Sequence, residues 1–277
     1  MDQERISTLV RNSLLAPIKL IRSLIYATGV LVWLLIFSGS AYLFYLLEAL
    51  PAESSLSLAS LRQQTQQVIS KRYDQAPATP FHWSELRVVN RDLLYAIVLS
   101  EDGRFFTHRG VDYDALLSAL AENLKSRQWK FGASTISQQT VKNIFLNNDK
   151  TLSRKFQEVI LTRRLESALS KNEILEVYLN LIEFGPDIFG IHQACAYYFN
   201  KTPEQINAAE GAYLALLMPS PRKYHYTLFQ NGNWSPALKK KHRRILRDMR
   251  YKELISASQY KSYQQWAYSK ENISSDG

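Results

Sequence analysis

The hydrophobic positions of this chain follow two patterns, one unbroken and one periodic. Residues 23–47, SLIYATGVLVWLLIFSGSAYLFYLL, are 25 consecutive positions without a charge. A hydrocarbon core needs about 20 apolar residues as helix, so the run predicts a membrane-spanning helix. Trp33, Tyr42 and Tyr45 suit such a helix, the tyrosines near one interface. A cleaved signal peptide would carry an apolar stretch of only about 7–15 residues and a small-x-small cleavage site. Here the stretch is longer and ends YLFYLLEAL.

Beyond the run the apolar spacing is helical, and no alternating strand pattern appears. Residues 51–82, rich in Gln and ending near APATP, predict a short helix followed by a connector. An apolar helix is expected over 93–99. Asp112 is placed to cap a helix whose Leu116, Leu117, Leu120 and Leu124 share one face. Thr202-Pro203-Glu204-Gln205 combines a cap, a Pro at the first helical position and a capping-box Gln. Further helices are expected over 152–169, 172–182, 188–199 and 207–218, and from Ser235-Pro236 onward. The fold class is therefore mostly α: one transmembrane helix and one helical domain.

Charge adds an orientation and a question. Arg5, Arg11, Lys19 and Arg22 precede the apolar run, whereas Glu48 and Glu53 follow it. The positive-inside rule then places the N-terminus in the cytoplasm and the domain outside. With 34 basic against 25 acidic residues the chain carries a net +9. That excess suits an anionic partner. Residues 239–252, KKKHRRILRDMRYK, hold eight of the cations and one acid. Leu238, Ile245, Leu246 and Met249 give this segment an apolar face, so it reads as a packed helix with a solvated basic side; contact with anionic headgroups is the alternative. The only cysteine, Cys195, excludes an internal disulfide or a cysteine-based zinc site.

Three stretches carry candidate chemistry. In 100–110, SEDGRFFTHRG, two adjacent carboxylates follow an apolar helix. Partial desolvation there would raise a carboxyl toward general-base strength, while solvated acids at a helix end are the plainer alternative. In 132–143, GASTISQQTVKN, small residues and Ser-Thr open a helix, with Gln138 and Lys142 one turn apart. Neither nucleotide-binding glycine motif is present. In 150–158, KTLSRKFQE, Arg154 and Lys155 lie one turn before Glu158. That spacing fits a surface ion pair or a pyrophosphate site with an ionised Glu158.

Taken in order, EDGRFFTHRG, GASTISQQTVKN, RKFQE, KNEILEVYLN and EFGPDIFGIHQACAYYFNK resemble the peptidoglycan glycosyltransferases, from about Val88 to Met249. The single domain resembles the monofunctional biosynthetic transglycosylases. The resemblance implies a lysozyme-like helical fold with a smaller membrane-side lobe. It divides the chain into a cytoplasmic tail (1–22), an anchor (23–47), a connector and membrane-side segment (48–85) and a glycosyltransferase domain (86–277). It also implies polymerisation of lipid II into β-1,4 glycan strands with inversion and release of undecaprenyl pyrophosphate. Glu101 would be the general base, and Glu158 would help to position the departing diphosphate.

By the same resemblance Lys142, Lys150, Arg154 and Lys155 would surround the phosphates. Ser134, Thr135 and Gln138 would form the cleft wall, and Asp102, Phe105 and His108 the scaffold of the first motif on the substrate side. The expected partners are lipid II, the nascent glycan strand, the bilayer of the inner membrane and cell-wall synthesis or division proteins, with no nucleic acid. No organic cofactor is expected, and a divalent ion, Mg or Mn, is left open. Pro186-Asp187 departs from the family pattern after EFG, as do Gln193, Ala194 and Cys195. A lysozyme-like muramidase and a membrane-tethered scaffold are the competing readings. A cation-rich pyrophosphate site would be pointless in the first, and the two glutamates in the second.

Overall fold

A computed structural model describes residues 3–73, 81–128, 132, 134–147 and 149–266, with side chains from Lys19 onward. The expected APATP connector at 76–80, Ala133 of the second motif and the side chains of Arg5 and Arg11 lie outside the described residues. The chain divides into two units, Met1–Leu50 and Pro51–Gly277. The first is a single helix, α1 (Gln3–Glu48), so the expected tail and the apolar run form one continuous element. Its portion Lys19–Glu48 is long and apolar enough to cross a membrane. Side chains such as Trp33 and Phe37 stand exposed along it.

The second unit is helical: α2 (Leu58–Arg72), α3 (Arg91–Glu101), α4 (Tyr113–Ser126), α5 (Ile136–Phe145), α6 (Leu152–Ala168), α7 (Lys171–Leu181), α8 (Ile191–Phe199), α9 (Ala208–Leu217), α10 (Pro221–Tyr224), α11 (Pro236–Tyr251) and α12 (Ala257–Gln264). At its centre is α9, whose residues are all buried. Gly211 lets α3 approach closely, since a Cβ there would lie 3.0 Å from the Cα of Leu93. On the same core, α11 buries His242, Ile245, Leu246 and Met249, as the sequence pattern predicts. His242 donates from Nε2 to the Ala209 carbonyl at 2.9 Å, and the Trp266 ring that follows α12 stacks on its imidazole at 5.5 Å.

A second group, α5, α6 and α7, packs beside this core. Buried Glu176 of α7 accepts from Arg62, Trp83 and the Leu86 N–H, and Asn180 grips both backbone groups of Ser84. These bonds fasten α2 and residues 83–86 to α7 in the same compact unit as the motifs.

The structure departs from the sequence expectations in three places. Residues 202–205 form a turn instead of a helix start. Asn207 is the stronger cap: it accepts from the Ala209 and Glu210 N–H groups while Glu210 reaches back to its own N–H. The helix expected from Ile188 begins at Ile191. Glu183–Gly185 (β1) and Ile188–Phe189 (β2) pair antiparallel across Pro186 and Asp187, which has φ 57°, and Gly190 at φ 79° separates the pair from α8. Finally, α4 forms as expected under its Asp112 cap, but Leu116, Leu117, Leu120 and Leu124 all face outward and are exposed.

Candidate active site

Glu101 is the last residue of α3. The buried side chains Leu93, Ala96, Ile97 and Val98 hold that helix against the core, so its C-terminal carboxylate is fixed to a rigid element. Asp102 then turns the chain out of the helix. Its own buried carboxylate accepts from His108 Nε2 at 2.9 Å and from the Ile136 N–H, the first of α5, at 3.0 Å. An aspartate at a helix N-terminus satisfies an orphan donor and complements the dipole. One carboxylate thus ties the first motif to the second. Phe105 is fully buried, with the Lys171 ammonium 4.5 Å from its ring centroid.

The strand of chain entering α5 is locked by a capping box between Thr135 and Gln138. Thr135 also donates to the Gly110 carbonyl at 2.5 Å, and both side chains are buried. Gly110 has φ 86°, and a Cβ there would lie 2.8 Å from Thr162 Cγ2, so only glycine fits. Ser134, by contrast, is exposed. It lines a cavity of about 340 Å³ together with Glu101, Gly103, Ala115, Ser118 and Thr135. A larger cavity of about 860 Å³ opens around Arg109, Tyr113 and Arg163 and reaches neither glutamate.

Glu101 is half-buried in this setting. Burial pushes its carboxyl above the ordinary glutamate range; the Lys241 charge, the Gln139 amide and the Ser100 hydroxyl pull it back, and Asp102 pushes it up. Gln139 Nε2 lies 3.5 Å from Glu101 Oε2, and Ser100 Oγ 3.4 Å from Oε1.

Glu158 is only 2% exposed on α6. It accepts from Arg154 Nη1 at 2.6 Å and from Lys155 Nζ. Lys155 Nζ also lies 3.4 Å from Ser134 Oγ, so the cationic cluster touches the wall of the cavity that holds Glu101. Lys142 belongs to the cluster as well. Burial lowers its pKa, Glu158 opposes that, and Arg154, Arg72 and Lys155 add to it. Three cations around one buried carboxylate, with Arg72 near Lys142, carry surplus positive charge, which suits a multivalent anion.

The structure therefore brings together Glu101, Ser134, Lys142, Arg154, Lys155 and Glu158. Lys150 is exposed, and among the described residues no ion pair or hydrogen bond holds it in the cluster. Of the residues expected on the substrate side, Asp102 and Thr135 line the cavity with Glu101 and also tie the two motifs together, through the Ile136 N–H and the Gly110 carbonyl; His108 holds Asp102, Gln138 closes the capping box with Thr135, and Phe105 is buried. Three residues at the site escaped the sequence reading: Arg72, whose Nη2 donates to the Asn143 carbonyl at 2.7 Å, Gln139 and Lys241. Lys241 had a legible signal. It precedes buried Ile245 by one turn and so lies beside the packed face of α11.

Among the described residues, no three His, Cys, Asp or Glu side chains gather as metal ligands. Glu158, the candidate carboxylate, already meets two cations, a donor set fitted to phosphate and not to a divalent ion.

Residues 65–250 match the protein family described as Transglycosylase. The chain is 41% identical over 175 residues to a biosynthetic peptidoglycan transglycosylase of Nitrosomonas eutropha, covering 63% of this chain and 70% of that one. It is 40% identical over 172 residues to a protein of the same description from Acinetobacter baylyi, covering 62% and 75%. A third, from Pasteurella multocida, is 41% identical over 169 residues, covering 61% and 66%.

Proposed function

This chain belongs to the transglycosylase family and is a glycosyltransferase of peptidoglycan synthesis; from that premise we propose that it polymerises lipid II with Glu101 as general base. The acceptor 4-hydroxyl of one disaccharide unit gives its proton to the Glu101 carboxylate. The freed oxygen attacks C1 of the other sugar from the face opposite its α-linked pyrophosphate. A β-1,4 bond forms with inversion, and undecaprenyl pyrophosphate leaves with the bonding electron pair. A single positioned carboxylate suffices for this displacement.

The observation that carries the reading is the bridge at Ser134. This residue lines the cavity with Glu101 and lies against Lys155, so a base and a cationic cluster share one site. Lys142, Arg154, Lys155 and Arg72 then meet the negative charge that grows on the departing diphosphate. Glu158 holds Arg154 and Lys155 in place, and no step is routed through a metal. A base buried enough to sit above the ordinary glutamate range is a stronger one, and the Lys241 charge favours its ionised form.

The chain works at the outer face of the inner membrane. The cations before the apolar run support that orientation, and the outward leucines of α4 offer the domain a second lipid-facing surface.

Lipid II polymerisation by the Glu101→Gln protein tests the proposal. Activity should disappear while the variant melts above the parent at neutral pH. The raised carboxyl means that folding favours the protonated form, so stability is lost as pH rises above the unfolded-state value, and the amide removes that loss. Polymerisation at the parental rate would overturn the assignment. Release of soluble fragments from purified sacculi would favour glycan cleavage instead.

A further inference from the structure

The Glu101 carboxylate depends on an amide that can be placed in two ways. Gln139 offers either Nε2 or Oε1 to its surroundings, and only one choice favours an ionised base. On one side of this amide lie two acceptors, Glu101 Oε2 and the Ser134 carbonyl, each 3.5 Å from Nε2. On the other side stands the Tyr178 hydroxyl, 3.2 Å from Oε1. Tyr178 lies on α7 and is fully buried. Among the described residues its hydroxyl has no other hydrogen-bond partner, so its proton has Gln139 as its destination. Reversing the amide would turn Oε1 toward a carboxylate and a carbonyl, three acceptors facing one another.

We propose that Tyr178 is a positioning residue for the reaction: its hydroxyl holds the Gln139 amide with Nε2 toward Glu101. Tyr178 touches no substrate. It acts through Gln139, and the same amide steadies Ser134 on the wall of the cavity. The inference rests on Glu101 being the base. The groups facing Glu101 are Ser100 and Asp102 from its own segment, Gln139 from α5, Tyr178 from α7 and Lys241 from α11. Of these, Gln139 and Ser100 donate hydrogen bonds that favour the ionised form, Lys241 supplies the positive charge, and Asp102 opposes them.

The test is the pH–rate profile of lipid II polymerisation by the full chain and three variants: Tyr178→Phe, Gln139→Leu and Glu101→Gln. Tyr178→Phe removes one oxygen and frees the amide to turn. The acid limb of kcat should then move up by about one pH unit, with activity restored at higher pH and KM little changed. Gln139→Leu deletes the same donor, along with the acceptor of the Tyr178 hydroxyl, and should shift the limb in the same direction. A purely structural tyrosine would lower the melting temperature and depress the rate evenly at all pH values. If Glu101→Gln is inactive and both other variants keep the parental acid limb, the positioning role is refuted and the base assignment stands. If Glu101→Gln stays active, the base assignment fails, whatever Tyr178→Phe does, and the inference fails with it.

Discussion

Replacing Glu158 by glutamine should destabilise the domain although it changes a single oxygen to nitrogen. The parent carboxylate is 2% exposed and meets Arg154, whose side chain is 17% exposed, and Lys155, at 42%. Removing one partner of a buried ion pair costs about 3–5 kcal/mol, because the remaining charge stays desolvated. Lys155 can swing into water, so its share is small. Arg154 cannot withdraw as easily, and Lys142 and Arg72 add repulsion. A net cost of about 3 kcal/mol follows, at the low end of that range. For a domain of this size that corresponds to a fall of about 8 °C in melting temperature.

Thermal unfolding of the detergent-solubilised chain, followed by tryptophan fluorescence, measures it. Inorganic pyrophosphate should restore part of the loss in the variant, because it supplies the missing negative charge to the same cations. A melting temperature within about 1 °C of the parent would refute the picture of Glu158 as the organiser of the cluster.

Two further outcomes follow from the same geometry. Lys241→Met removes a charge that holds the Glu101 carboxyl down, so the acid limb of activity should move to higher pH and the rate near neutrality should fall. A pH–rate profile on lipid II checks it, and an unmoved limb would place the assayed step outside the influence of Lys241 on Glu101. Gly110→Ala should cost about 2 kcal/mol or more, since the backbone is left-handed there and the new methyl would collide with Thr162. Chemical denaturation measures that loss, and parental stability would contradict the close approach of the loop to α6.

Much of the architecture was legible because local signals and burial agree. Asp112, Asn207 and Ser235 cap the helices that their spacing announces, and α11 buries the residues that its apolar stripe marks. The turn at 202–205 was not legible, since a cap signature there competes with a better one five residues on. The β1–β2 pair depends on a left-handed Asp187, which a short apolar run does not reveal. The outward face of α4 defeats sequence reading for a different reason: an apolar stripe says that a helix avoids water and not what covers it.

At the site, spacing within one helix exposed the Arg154–Lys155–Glu158 group. The pairing of Glu101 with Lys241 joins α3 to α11 across 140 positions of chain, and no local pattern encodes it. Thr135 and Gln138 stand together in a motif string, but the string cannot say that their side chains close a capping box on each other.

The stacked plate of Trp266 on His242 ties α11 to chain that lies beyond the family match. The family match stops at residue 250, yet the indole that backs α11 comes sixteen residues later, and His242 is the immediate neighbour of Lys241. A protein trimmed to residues 65–250 would keep all five motifs and lose the indole that stacks on α11. The Glu101 carboxylate would then face a loosened ammonium, so the segment after residue 250 braces the helix that carries Lys241.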